Sequence, residues 1–302
     1  MNIDAIYGAI GGDIAGALDE VEECKYIKTG HRPVEDRIKA LDKTRPLLPD
    51  DSCITDDSLL TLAIMRAIVN GESYEQCLRE AVLLELEKGN DKFDRPPFSK
   101  KTCEWAEGKN EGISDGNGAA MRIAPIAISI DKYDDLFDEV YLASVPTHKN
   151  PNALMSANIM AKAIWLANHK QNNNRIIRMV EDEYGIGMDM TITQLQEQNV
   201  FSSKGIVTVP QAIFCYLKGP MYAEKLGMSN YEATVRLALS IGGDTDTIAC
   251  MAGAMAATNY GIPDEIKQKI ETYLNDEQLE LIDKFKHLKK GHAYARGSRK
   301  IN

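Results

Sequence analysis

The sequence predicts an all-α fold, on three observations. Apolar residues recur at helical spacing through most of the 302-residue chain, two-residue alternation is scarce, and stop signals such as Asn70-Gly71 close the periodic runs. A chain that is 44% hydrophobic and 26% charged can bury a large core. The expected architecture is a single large all-α domain of many medium-length helices over residues 1–289. A basic, flexible tail is expected over 290–302, where Arg296, Arg299 and Lys300 accompany no apolar periodicity.

In order along the chain, "YGAIGGDIAGALDE" (Tyr7–Glu20) comes first. Gly8, Gly12 and Gly16 recur every four residues, a flat helical stripe that lets another backbone approach. On periodicity alone, Asp13 and Glu20 read as structural. Helical signals then cover Asp57–Gly71, Tyr74–Lys88, Asp134–Ala143, Asn152–Asn168, Asn173–Tyr184, Val209–Leu217, Asn230–Ser240, Asp246–Tyr260, Pro263–Leu274 and Asp276–Leu288. The segment Gly89–Lys101, with Pro96-Pro97, reads as a surface loop. The best strand candidate is the short "GIVTVP" at Gly205–Pro210.

Several function classes are disfavoured. A formal charge of -10 repels phosphate at long range, which argues against generic nucleic-acid or anionic-membrane binding. No apolar run reaches transmembrane length, and the N-terminus lacks a basic n-region, so the expected location is the cytoplasm. The six cysteines form no CxxC pair and read as reduced thiols; the five histidines form no HExxH pair, so zinc is disfavoured.

Two acidic clusters carry the chemistry. "CITDDSLL" supplies Thr55, Asp56 and Asp57, and "GGDTDTIA" supplies Asp244, Asp246 and Thr247; each opens an apolar helix. N-capping accounts for one acid per helix but leaves a second carboxylate beside like charge. Lys and Arg are absent between Arg236 and Lys267, so compensation has to come from elsewhere. A hard divalent cation takes oxygen ligands, and carboxylates with Thr hydroxyls suit Mg²⁺ or Mn²⁺.

Taken together, "GGDIAGALDE", "TDDSLLTLA", "GNGAAMRIAPIA", "THKNPNA" and "SIGGDTDTIACMAGAMAATNYGIP" resemble the ADP-ribosylglycohydrolase family, from Gly8 to about Pro263. The resemblance implies an all-α, single large orthogonal multi-helix domain with a binuclear Mg²⁺ or Mn²⁺ centre held by Thr55, Asp56, Asp57, Asp244, Asp246 and Thr247. It implies for Glu20 a place beside the ions, gating or activating substrate. By the same resemblance "SDGNGAAMR" is the ligand loop, with backbone N–H groups around Gly116, Asn117 and Gly118 cradling a diphosphate or ribose, and His148 lies near the distal part of the substrate. Some relatives acting on arginine-linked ADP-ribose carry Asp where this chain has Ser114, followed by Asp115. Ser58 replaces a Thr of many relatives and keeps the hydroxyl.

The expected activity is therefore metal-dependent hydrolysis of the bond between ADP-ribose and its acceptor, a protein or small molecule, with Glu20, Asp57 and Asp246 as the catalytic acids. The alternatives are a catalytically silent ADP-ribose binder and a metal phosphohydrolase cutting the diphosphate. The acceptor linkage, the preferred ion and the oligomeric state stay open at this stage.

Overall fold

The protein is described from a computed structural model covering residues 1–288. The basic tail expected over 290–302 lies outside the described residues. Helices follow one another as α1 (Asp4–Cys24), α2 (Val34–Arg37), α3 (Asp56–Asn70), α4 (Tyr74–Lys88), α5 (Lys100–Ala106), α6 (Gly118–Met121), α7 (Ala124–Ser129) and α8 (Leu136–Ser144). They continue as α9 (Pro151–Asn168), α10 (Asn173–Tyr184), α11 (Ile192–Gln198), α12 (Gly205–Leu226), α13 (Asn230–Ile241), α14 (Thr245–Tyr260), α15 (Asp264–Glu271) and α16 (Asp276–Lys286). Among the described residues there is no named strand, only isolated bridges pairing Ile113 with His148 and Gly116 with Lys204. None of these helices is long and apolar enough to cross a membrane.

The long helices follow the apolar periodicity, and Gly71, in the left-handed region at φ 68°, ends α3 where Asn70-Gly71 predicts a stop. One expectation fails. Gly205–Pro210 is not a strand but the start of α12, which runs on to Leu226. Alternation over five residues cannot distinguish a strand from one face of a helix. Pro210 and Pro220 both lie inside this helix, each at the loss of one backbone hydrogen bond, and Gly205 lets the helix pack against Ser156. The loop expected over Gly89–Lys101 ends early, since Ser99 caps α5 by accepting from the Thr102 N–H.

The spine of the fold is the contact between α1 and α14. A Cβ at Gly8 would collide with the Gly253 carbonyl, one at Gly12 with the Ala249 carbonyl, and one at Gly16 with the Asp246 backbone. The glycine stripe thus brings two backbones together, as the sequence predicts. Tyr231 reaches into the same seam and donates to the Gly8 carbonyl at 3.2 Å. Around this pair, one contiguous cluster of buried apolar side chains draws on α3, α4, α7, α9, α12 and α13. All six cysteines are unpaired.

Candidate metal centre and substrate cavity

The seam between α1 and α14 fixes where the acids meet. Asp13 sits beside Gly12 on α1, Asp57 lies in the first turn of α3, and Asp246 lies in the first turn of α14. Single oxygens of these three residues fall within 4.8 Å of one another, and so do oxygens of Glu20, Asp244 and Asp246. Asp246 belongs to both groups. Asp56 and Asp246 line the same cavity rather than facing opposite sides of the protein.

Capping does not occupy these side chains. Thr55 and Asp244 stand at the N-cap positions of α3 and α14, yet neither makes a side-chain capping bond. The Thr55 hydroxyl instead donates to Asp13 Oδ1 at 2.6 Å, and its N–H donates to Asp13 Oδ2 at 2.9 Å. The Ser58 hydroxyl and N–H also donate to Asp13 Oδ2. A hydroxyl that donates to a carboxylate keeps its lone pairs for a cation. The Thr247 hydroxyl donates to Asp57 Oδ2 at 3.1 Å, while Asp57 Oδ1, in a residue only 1% exposed, has no hydrogen-bond partner. An orphaned buried carboxylate oxygen is costly unless a cation meets it.

The electrostatics agree with the geometry. Burial, with the negative charges of Glu20, Asp13 and Asp244, pushes Asp56 up to about 8. Burial and Glu20 push Asp244 up to about 6, against the opposing bond from Asn117 Nδ2 at 2.7 Å. Asp13, Asp57 and Asp246 are also raised, with burial the largest cause; like charges add to it for Asp57 and Asp246. These residues fit a hard divalent cation: the donors are all oxygen, they converge, and one is unsatisfied.

Glu20, Asp56, Asp244 and Asp246 line part of a cavity of about 720 Å³. Its other walls come from the loop before α5, from the 114–118 loop and from Arg122, Thr147 and His148. The expected substrate residues Ser114, Gly116, Asn117, Gly118 and His148 all reach it. Two of the three N–H groups expected to form a backbone cradle there are already engaged. The Gly116 N–H donates to Ser114 Oγ at 3.1 Å and the Asn117 N–H to the Ser203 carbonyl at 2.8 Å, so both are used in holding the loop. Residues Ser114 to Gly118 all line the cavity, and the Asn117 side-chain amide donates to Asp244 Oδ2.

Sequence reasoning missed two residues of the centre. Asp13, 0% exposed, stands in the acid cluster and anchors Thr55 and Ser58 rather than serving as an isolated polar residue of its helix. The available signal was a lone carboxylate in a run of small apolar residues, the same signal that singles out Asp244. Arg95, from the proline-rich loop, donates to Glu20 Oε2 at 2.7 Å and to Asp91 at 3.3 Å. It brings positive charge to the edge of the acid cluster, and nothing local in the sequence announces it.

Fold and site together define an all-helical hydrolase scaffold with a buried carboxylate centre opening on a ligand-sized cavity. The chain belongs to the ADP-ribosylglycohydrolase family, whose model it matches over residues 3–294. It is therefore a hydrolase acting on ADP-ribose linkages. It is 25% identical over 324 residues to ADP-ribosylhydrolase ARH3 of Bos taurus, covering 90% of this chain and 89% of that protein. Against ADP-ribosylhydrolase ARH3 of Homo sapiens it is 24% identical, covering 88% of each chain. A solved structure titled "ADP-ribosylglycohydrolase-related protein complex" superposes with a TM-score of 0.63 at 19% identity, over 98% of both chains, which establishes likeness of fold.

Proposed function

We propose that the protein releases ADP-ribose from a modified protein or small molecule by hydrolysing the bond at the anomeric carbon of the distal ribose, using two Mg²⁺ or Mn²⁺ ions. The observation that carries this reading is the convergence of Asp13, Asp57 and Asp246 with Glu20 and Asp244, the latter two and Asp246 lining the cavity and Asp57 Oδ1 behind them unsatisfied. Thr55, Asp56, Asp57, Asp244, Asp246 and Thr247 are the residues we assign to the ions, with Asp13 holding Thr55 and Ser58 in place. Bound there, divalent ions would supply positive charge among these carboxylates and lower the pKa of water.

The chain's own residues do the rest. Cleavage at the anomeric carbon passes through an oxocarbenium-like state, and Glu20, the acid not assigned to the ions, is the carboxylate we assign to stabilising it. Glu20, Asp57 and Asp246 are the groups we assign to accepting the proton of the attacking water. Glu20 is tied to Arg95, so its approach to substrate requires that pair to loosen. Ser114, Asn117, Gly118 and His148 form the wall that we assign to the diphosphate and ribose.

The test is a panel of defined ADP-ribose linkages assayed with Mg²⁺, Mn²⁺ and chelator, repeated with Asp246→Asn. Chelation and the substitution are each expected to abolish release, and full activity in either overturns the metal-dependent reading. AMP in place of ADP-ribose as product would instead identify a phosphohydrolase, and tight ADP-ribose binding without turnover a silent binder.

A further inference from the structure

Beside the carboxylates, the cavity wall carries a chain of polar groups that the reaction above does not explain. Arg122, 2% exposed, follows α6 and donates from Nη2 to the Ala143 carbonyl at 3.0 Å and to Thr147 Oγ1 at 2.7 Å. A guanidinium only donates, so Thr147 Oγ1 is the acceptor in that bond. The single hydroxyl proton of Thr147 then has two destinations: His148 Nδ1 at 2.7 Å and the Ser144 carbonyl at 3.4 Å. The first is a full hydrogen bond and the second is weak. With the proton directed to Nδ1, that nitrogen is bare and the ring proton sits on Nε2.

The ring is held as well as oriented. The His148 N–H donates to the Ser144 carbonyl at 2.9 Å, and the Lys149 N–H donates to the Gly112 carbonyl at 3.0 Å. Gly112, at φ 72°, lies where a Cβ would collide with the Pro146 carbonyl, so the two segments pack without a side chain between them. Nε2 faces the ligand loop: a Cβ at Gly118 would lie 3.2 Å from it. Burial, with the Arg122 charge, pulls His148 down to about 3, so the ring is neutral throughout the physiological range. Arg122 is drawn down to about 9 by its burial and stays cationic at neutral pH.

We propose that Arg122 and Thr147 are positioning residues that lock His148 in the Nε2–H tautomer, making it a fixed hydrogen-bond donor to an oxygen acceptor of the substrate. The relay itself stands on the side-chain geometry; only its use on substrate rests on the functional reading above. A donor of this kind favours phosphate, carbonyl or ether oxygen at that spot.

The experiment is long-range ¹H–¹⁵N correlation NMR of the histidine rings in the full ¹⁵N-labelled chain, with His148 assigned by the signals lost in His148→Gln. The expected spectrum has Nε2 protonated and Nδ1 bare, unchanged from about pH 5.5 to about pH 8.5. Thr147→Val is expected to shift the ring towards the other tautomer, and Thr147→Ser to retain the wild-type pattern. A protonated Nδ1 in the wild-type protein, or a tautomer indifferent to Thr147→Val, overturns the relay. In kinetics with an ADP-ribosylated substrate, Thr147→Val should raise KM roughly three- to ten-fold and leave kcat within about twofold. A tautomer that shifts while KM stays fixed overturns the substrate contact and leaves the relay standing.

Discussion

Helix α1 carries buried acids at two places, and they are treated in opposite ways. Towards its C-terminus, Glu23 receives Arg37 on both carboxylate oxygens, at 3.0 and 2.8 Å, and Asp19 receives Arg32 at 2.8 Å and Arg45 at 2.5 Å. Arg37 spends further donors on the carbonyls of Gln196, Asn199 and Ile241. At the other place, Asp13 meets hydroxyls and backbone N–H groups, and its acidic neighbours Asp57 and Asp246 share the same small space. One region is neutralised within the chain; the other is arranged for a charge from outside. The two are mechanically linked. The Gly243 N–H donates to Glu23 Oε2 at 3.1 Å, so the arginine–glutamate pair braces the glycine turn that presents Asp244 and Asp246.

This contrast predicts opposite responses to losing an acid. Asp246→Asn is expected to lower ADP-ribose release by more than about a hundredfold, since even residues that merely support a metal ligand are worth ten- to hundredfold. In ion-free buffer the same variant should be at least as stable as the wild type, because it removes repulsion. Asp246 Oδ1 accepts the Thr247 N–H at 2.8 Å, a bond that Asn can keep; a clear loss of melting temperature without ions would show that the Asp246 charge is stabilised rather than repelled within the chain. Glu23→Ala should do the reverse, destabilising the fold by about 3–5 kcal/mol by stranding a buried guanidinium. Chemical denaturation reads this directly, and a change below about 1 kcal/mol would break the comparison.

Gly12→Ala tests the seam that joins the two regions. The new methyl meets the Ala249 carbonyl rather than a movable side chain, so a loss of roughly 1–3 kcal/mol is expected, together with weaker ion binding as α1 moves away from α14. Unchanged stability would mean the helices are not in backbone contact.

The acid cluster also makes the ion-free protein sensitive to pH. Asp56 and Asp244 have folded pKa values raised to about 8 and about 6, above the usual carboxylate range. The folded state then binds more protons than the unfolded one across that window. Stability of the ion-free protein should therefore fall as pH rises from about 4 to about 8. Added Mn²⁺ should flatten or reverse that slope, and a flat ion-free profile would contradict the shifts.

Much of this was legible in the sequence because the acids cluster locally. Thr55, Asp56, Asp57, Asp244, Asp246 and Thr247 fall in two short runs without a cation nearby, and the long amphipathic helices announce themselves by period. What escaped depends on distant partners. Asp13 acquires its place from Thr55 and Ser58, 42 and 45 residues away, and Arg95 reaches Glu20 across 75 residues. Helices α5, α6 and α7 are too short for a periodic signal, and the Asn117 N–H is engaged by the Ser203 carbonyl, far along the chain.

The most direct test is a crystal of the protein grown with Mn²⁺ and measured for anomalous scattering at the manganese edge. The account predicts peaks among the carboxylate oxygens of Asp57, Asp244 and Asp246. Manganese sites elsewhere, with the Asp57 and Asp246 carboxylates in contact only with protein or water, would contradict it.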